Sequence, residues 1–212
     1  NVYPDIPEDK VSVIYHGKSL ICRGKDIPQT MNGIPKRYVL YVGSRYHYKN
    51  FKNFIRAMQP LLRTDKDIMV VCAGGGAFKD DEKMAIGEQC DRYIQKNVSD
   101  TELAYLYTHA MCFVFPSLYE GFGLPTLEAF SYGCPVAVSN TGAMPEVAGK
   151  AAVYFDPERT ENMTEAISQL LHNDSLREEL KKSGFLQAEK YSWEKVAELT
   201  GKCYQKVYEG IS

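Results

Sequence analysis

Four short, almost unbroken apolar runs constrain this chain more than any other feature. RYVLYVG (Arg37 to Gly43), IMVVCAGGG (from Ile68), MCFVFPS (from Met111) and PVAVS (Pro135 to Ser139) do not alternate apolar with polar residues, as a strand with one wet face does. Each therefore predicts a strand buried on both faces, which needs a covering layer on either side. The intervening sequence supplies it. FKNFIRAMQPLL sets Phe51, Phe54, Ile55, Met58, Leu61 and Leu62 at helical spacing. Further helices are expected at about Lys79 to Glu88, behind the capping pair Ser99 and Glu102, and at Thr160 to His172, Ser175 to Glu189 and Ser192 to Tyr208. A short strand near Arg92 to Gln95 and an edge strand in AAVYFD complete the alternation. The expected fold class is α/β: a doubly wound, Rossmann-like parallel sheet with helices on both faces.

The 212 residues suit one such unit with extra segments. A net charge of −2, with lysines and arginines spread along the chain, offers no basic stripe, so neither nucleic acid nor an anionic membrane surface is an expected partner. No apolar run approaches the roughly 20 residues of a membrane-spanning helix. The six cysteines lack C-x-x-C spacing, and Cys72 and Cys112 fall inside apolar runs, the pattern of reduced thiols in a cytoplasmic setting. The opening NVYPDIPEDK has the form of neither a signal peptide nor an initiation site, and reads as the edge of a piece excised from something longer. KVSVIYHGKSL and the Pro-, Gly- and charge-punctuated segment up to Pro35 read as an entering connection.

In such a sheet, ligands bind beyond the carboxyl ends of the strands, where helix N-termini converge. The loops Gly43 to Asn50, Ala73 to Ala77, Pro116 to Leu124 and Ser139 to Met144 follow the four strands and are expected to line one edge. The third runs into YEGFGLPTLEAFSYGCPV, where Pro125 suits the first turn of a helix reaching about Tyr132 and Gly133 stops it. Gly121 and Gly123 clear the approach to the amides of about Gly123 to Leu127, an anion site suited to phosphate, to which Thr126 adds a hydroxyl. Glu120 and Glu128 flank that turn. Carboxylates repel phosphate and accept from hydroxyls, so they describe a polyol on each side of a diphosphate, which is a nucleotide sugar. The plainer reading of the pair is a solvated loop acid and a first-turn partner of the helix dipole.

Glu120-x7-Glu128 within EGFGLPTLEAFSYGCPV, preceded by VSDTELAYLYTHAMCFVFPS and followed by SNTGAMPEVAG, resembles the signature of the retaining group 1 glycosyltransferases of the GT-B fold, family 4-like. The similarity covers almost the whole chain, beginning at VSVIYHG, which looks like the family's interdomain linker. It implies that residues 1–35 are linker and entering segment and 36–212 a nucleotide-sugar-binding domain, the C-terminal half of a GT-B enzyme. The implied reaction moves a mannosyl or glucosyl group from a GDP- or UDP-linked sugar to the hydroxyl of a glycan or lipid-linked acceptor, with no cofactor and no metal. The resemblance places the acceptor on an N-terminal domain that this chain lacks, together with any contact at the inner membrane face, so the piece alone is expected to be inactive.

The same resemblance gives Glu128 to the ribose hydroxyls and Glu120 to the transferred sugar. Gly121, Phe122, Gly123 and Leu124, continuing through Thr126 and Leu127, would offer main-chain groups to sugar and phosphate. Arg45 and Lys49, in the loop that Gly43 opens, would neutralise the diphosphate leaving group, with Arg45 one position later than in many members. The nucleobase would meet Ile94 to Val98, with Asn97 where a Gly is common.

Other features have plainer readings. Arg45 and Lys49 also suit a polar loop leading into a helix. Gly74 to Gly76 lacks G-x-x-x-x-G-K-[ST] and fits a strand-end turn at least as well as a phosphate loop. Asp65-Lys66-Asp67 mimics a D-x-D metal motif but precedes a strand, which puts it at the opposite edge of the sheet. The histidines show no metal-ligand spacing, and only His47, between Arg45 and Lys49, stands near the site. Tyr46 and Tyr48 read as surface cover rather than a sugar platform. A nucleotide-binding regulatory module and a GT-B-like epimerase are the rival functions.

Overall fold

The computed structural model describes residues 6–7, 10–18 and 27–211; Cys22 and much of the expected linker lie outside them. Each apolar run forms a strand: β1 (Tyr38–Val42), β2 (Met69–Ala73), β4 (Cys112–Phe115) and β5 (Val136–Ser139). The two weaker runs form β3 (Tyr93–Lys96) and β6 (Ala152–Phe155). Between and after them come α1 (Phe51–Thr64), α2 (Asp80–Ile86), α3 (Asp100–His109), α4 (Leu124–Ser131), α5 (Met144–Ala148), α6 (Thr160–His172), α7 (Asp174–Glu189) and α8 (Trp193–Ile211). Residues 11–18 add neither strand nor helix.

All neighbouring strands pair in parallel, in the order β3-β2-β1-β4-β5-β6, so AAVYFD is an edge strand as expected. Successive β1 side chains enter opposite layers. Val39 and Tyr41 join Phe54, Met58 and Leu62 of α1 and Met163, Ile167 and Leu170 of α6. Tyr38 and Leu40 join Leu106 and Tyr107 of α3, Leu127 and Phe130 of α4, and Val147 of α5. Each such large side chain, fully buried, contributes about 1.5–3 kcal/mol, which explains why both faces of β1 must be apolar. The Ser99 capping box forms as read: Ser99 N–H donates to the Glu102 carboxylate at 2.8 Å, and Glu102 N–H to Ser99 Oγ at 3.4 Å.

The chain winds outward from β1 through β2 to β3, then crosses to β4 and winds the other way. The loops after β1 and β4 therefore flank the point where strand order reverses, the place where open α/β sheets hold ligands. Among the described residues, no helix is long and apolar enough to cross a membrane.

Candidate functional site

The loop after β1 turns once as a 3-10 helix at His47–Lys49, and the loop after β4 lies beside it. Leu118 N–H donates to the Tyr48 carbonyl at 2.8 Å, Thr141 Oγ1 donates to the Leu118 carbonyl at 3.0 Å, and Ala143 N–H reaches the Glu120 carbonyl at 3.4 Å. The loops after β1, β4 and β5 thus form one shelf. On it Lys49 Nζ donates to Glu120 Oε1 at 2.6 Å, each side chain about 15% exposed. The ammonium also stands 5.2 Å from the Phe115 ring centre and 5.1 Å from that of Tyr48. Two residues assigned separately to leaving group and sugar meet here as a part-buried ion pair, in a setting where charges interact more strongly than on open surface.

α4 begins at this shelf. Gly123, its N-cap, has φ +90°, and a Cβ there would come within 2.3 Å of the Met144 side chain, so only glycine fits without displacement. No side chain caps the helix. The amide supply is narrower than the sequence suggests, because Pro125 has no N–H and Thr126 N–H donates to the Gly123 carbonyl at 2.9 Å. The Thr126 hydroxyl is fully buried, its recorded partner the Met144 sulfur at 3.9 Å, and so it does not face the shelf as expected. Leu127 is likewise fully buried, leaving main-chain groups as its means of contact. Gly121 is exposed and Phe122 and Leu124 are half-buried.

Glu128 is half-buried on α4, and burial raises its carboxyl above the usual range. The Tyr107 phenol opposes that rise by donating to Oε2 at 3.3 Å, while Asp100 adds to it by repulsion. Tyr107 itself is fully buried, edge-on to Phe113 and parallel to Tyr132. The sequence assigns Tyr107 no role of its own; the signal for one is a tyrosine on the buried face of a helix, whose hydroxyl requires a partner.

Arg45 is not brought to the shelf. Its Nε donates to Glu82 Oε1 at 2.9 Å, with the two side chains 3% and 5% exposed. Its remaining donors serve the carbonyls of Gly74, Gly75, Gly76 and Ala77, and its guanidinium lies over Phe51 and Phe78. With every nitrogen engaged, the cation pair expected of Arg45 and Lys49 is not assembled, and Arg45 instead clamps the glycine turn after β2. A cavity of about 740 Å³ borders this clamp, lined by Arg45 and Glu82 together with His47, Lys52, Lys79 and Leu118.

The remaining positions are peripheral or open. Gly43 has free space where a side chain would stand. Val98 packs on the α3–α4 layer; of the expected nucleobase segment Ile94 to Val98, the first three residues lie in β3 rather than in a loop, and Gln95 Nε2 donates to Asn97 Oδ1 at 3.1 Å and to the Gly74 carbonyl at 3.3 Å. Asp65 is held by Arg37 at 3.0 Å, away from the shelf. No cluster able to hold a metal occurs among the described residues. His47, Tyr46 and Tyr48 are exposed.

Residues 25–187 match the family described as glycosyl transferases group 1. The chain is 37% identical over 174 residues to the O-antigen chain mannosyltransferase B of Escherichia coli, covering 79% of this chain and 45% of that protein. It is 36% identical over 124 residues to the MMP alpha-(1->4)-mannosyltransferase of Mycolicibacterium hassiacum, covering 57% of this chain and 30% of that protein. Among solved structures, the sucrose-phosphate synthase of Thermosynechococcus elongatus superposes with a TM-score of 0.69 at 24% identity, over 82% of this chain and 46% of that one. S. aureus TarM superposes with a TM-score of 0.70 at 21% identity, over 84% and 37%. The chain spans less than half the length of each of these proteins.

Proposed function

The chain belongs to the group 1 glycosyl transferases, and on that premise we propose that it is the donor-binding half of a retaining enzyme that moves a hexosyl group from a nucleoside diphosphate sugar to an acceptor hydroxyl. The names of its relatives favour mannosyl over glucosyl. The observation that carries the reading is the Lys49–Glu120 pair at the strand-order reversal, beside the uncapped start of α4. A diphosphate entering there draws Lys49 from Glu120, and the released carboxylate accepts from hydroxyls of the sugar. Lys49 and the free α4 amides then meet the charge that grows on the leaving diphosphate, which is why the proposed transfer needs no metal. One such preorganised donor is typically worth about a hundred- to a thousandfold in rate. Retention follows from acceptor attack on the face that the diphosphate leaves.

Glu128, one turn into α4, is the proposed ribose ligand. Glu128→Ala is expected to weaken nucleoside diphosphate binding by about 1.5–3 kcal/mol, roughly ten- to a hundredfold. A 2′,3′-dideoxy nucleotide should bind the variant and the unaltered chain alike. Calorimetry that finds the variant still fully discriminating against the dideoxy analogue would remove Glu128 from the ribose.

A further inference from the structure

Phe122 lies between two glycines, Gly121 and Gly123, in the loop that leads into α4, so its ring is the only side-chain anchor between those flexible neighbours. That anchor comes from outside the sheet. Tyr15 stacks on Phe122 with ring centres 6.1 Å apart, and His16 meets it edge-on at 5.4 Å. Tyr191, which precedes α8, closes the ring of contacts, 5.6 Å from Phe122 and 5.9 Å from Tyr15. The entering segment is itself pinned: the Tyr15 phenol donates to the Glu146 carboxylate on α5, and Lys18 N–H donates to the Tyr191 carbonyl at 2.8 Å. Gly17 lies so close to Trp193 that a Cβ would stand 2.7 Å from its ring.

We propose that Tyr15 and His16 are positioning residues that act through Phe122, holding the main chain of Gly121 to Leu124 in the shape that receives the transferred sugar. The inference rests on the donor-binding reading above. Glu128 is held separately, by Tyr107 from α3, so the entering segment governs the sugar end of the donor and leaves the ribose end alone. Movement of the segment before the sheet is thereby transmitted to the loop without passing through the core.

Two readouts on the 212-residue chain test this. In the ligand-free state, the paired change Tyr15→Ala and His16→Ala should speed amide hydrogen exchange in a peptide covering 119–127 about tenfold, with β1 and β4 unchanged. Tyr15→Phe, which keeps the ring and loses only the bond to Glu146, should exchange more slowly than the paired variant. With GDP, GDP-mannose, UDP and UDP-glucose as ligands, the paired variant should bind the sugar nucleotide about tenfold more weakly and the matching diphosphate nearly as before. Unchanged loop exchange, protection lost across the whole sheet, or equal weakening of sugar nucleotide and diphosphate would each overturn the proposal. If the unaltered chain binds none of the four, the donor reading fails while the exchange result still decides whether the loop is held from the entering segment.

Discussion

Tyr107 is inaccessible to solvent, and its hydroxyl reaches Glu128 across the α3–α4 contact. A hydrogen bond donated to the ionised carboxylate favours that form, against the burial and the Asp100 charge that disfavour it. Ribose hydroxyls need the ionised acceptor, so proposed nucleotide binding fades as pH falls through the Glu128 pKa. Tyr107→Phe removes the lowering influence, leaves Asp100 and burial in place, and should move that fade to higher pH while affinity well above it changes little. A pH series of binding constants checks this, and an unmoved profile would mean the phenol does not tune the carboxylate. Glu120 and Glu128 stand out in the sequence as two acids flanking a turn that holds Gly121, Gly123 and Pro125. Their partners do not: Lys49 lies 71 positions from Glu120 and Tyr107 lies 21 from Glu128, and no local pattern encodes such meetings.

At the scale of elements, strands buried on both faces and long amphipathic helices announce themselves through composition and period, which is why β1, β2, β4, β5, α1 and α6 lie where the sequence puts them. The five-residue α5 and the single turn at His47–Lys49 are too short to carry a period; the sequence assigns no element to residues 145–148 and only a loop to Gly43 to Asn50. The direction of Arg45 was equally hidden, since a guanidinium after a strand serves a ligand or a neighbouring loop with the same sequence. Here it joins the β1 loop to the turn after β2 and to Glu82 in α2. Arg45→Ala leaves the Glu82 carboxylate buried without its cation, and a loss of about 3–5 kcal/mol of stability is expected from urea unfolding. A loss under about 1 kcal/mol, typical of an exposed loop cation, would show that the clamp is not structural.

For the whole molecule, the doubly wound sheet gathers its loops on one shelf, and the entering segment and the start of α8 close around Phe122 beside it. α8 then runs on with Tyr204 and Val207 exposed. In the proposed reaction the shelf holds the donor and not the acceptor, and positioning of an acceptor can supply roughly 7–11 kcal/mol of barrier lowering. The proposed donor binding, by contrast, draws on the shelf alone. The most direct test is therefore a calorimetric titration of the 212-residue chain, in EDTA, with GDP-mannose, UDP-glucose and the two free diphosphates. Saturable one-site binding of a sugar nucleotide without added metal is the expected result; no binding of any of the four, or binding that appears only when Mn²⁺ is supplied, would contradict a donor site built from Lys49, Glu120 and the start of α4.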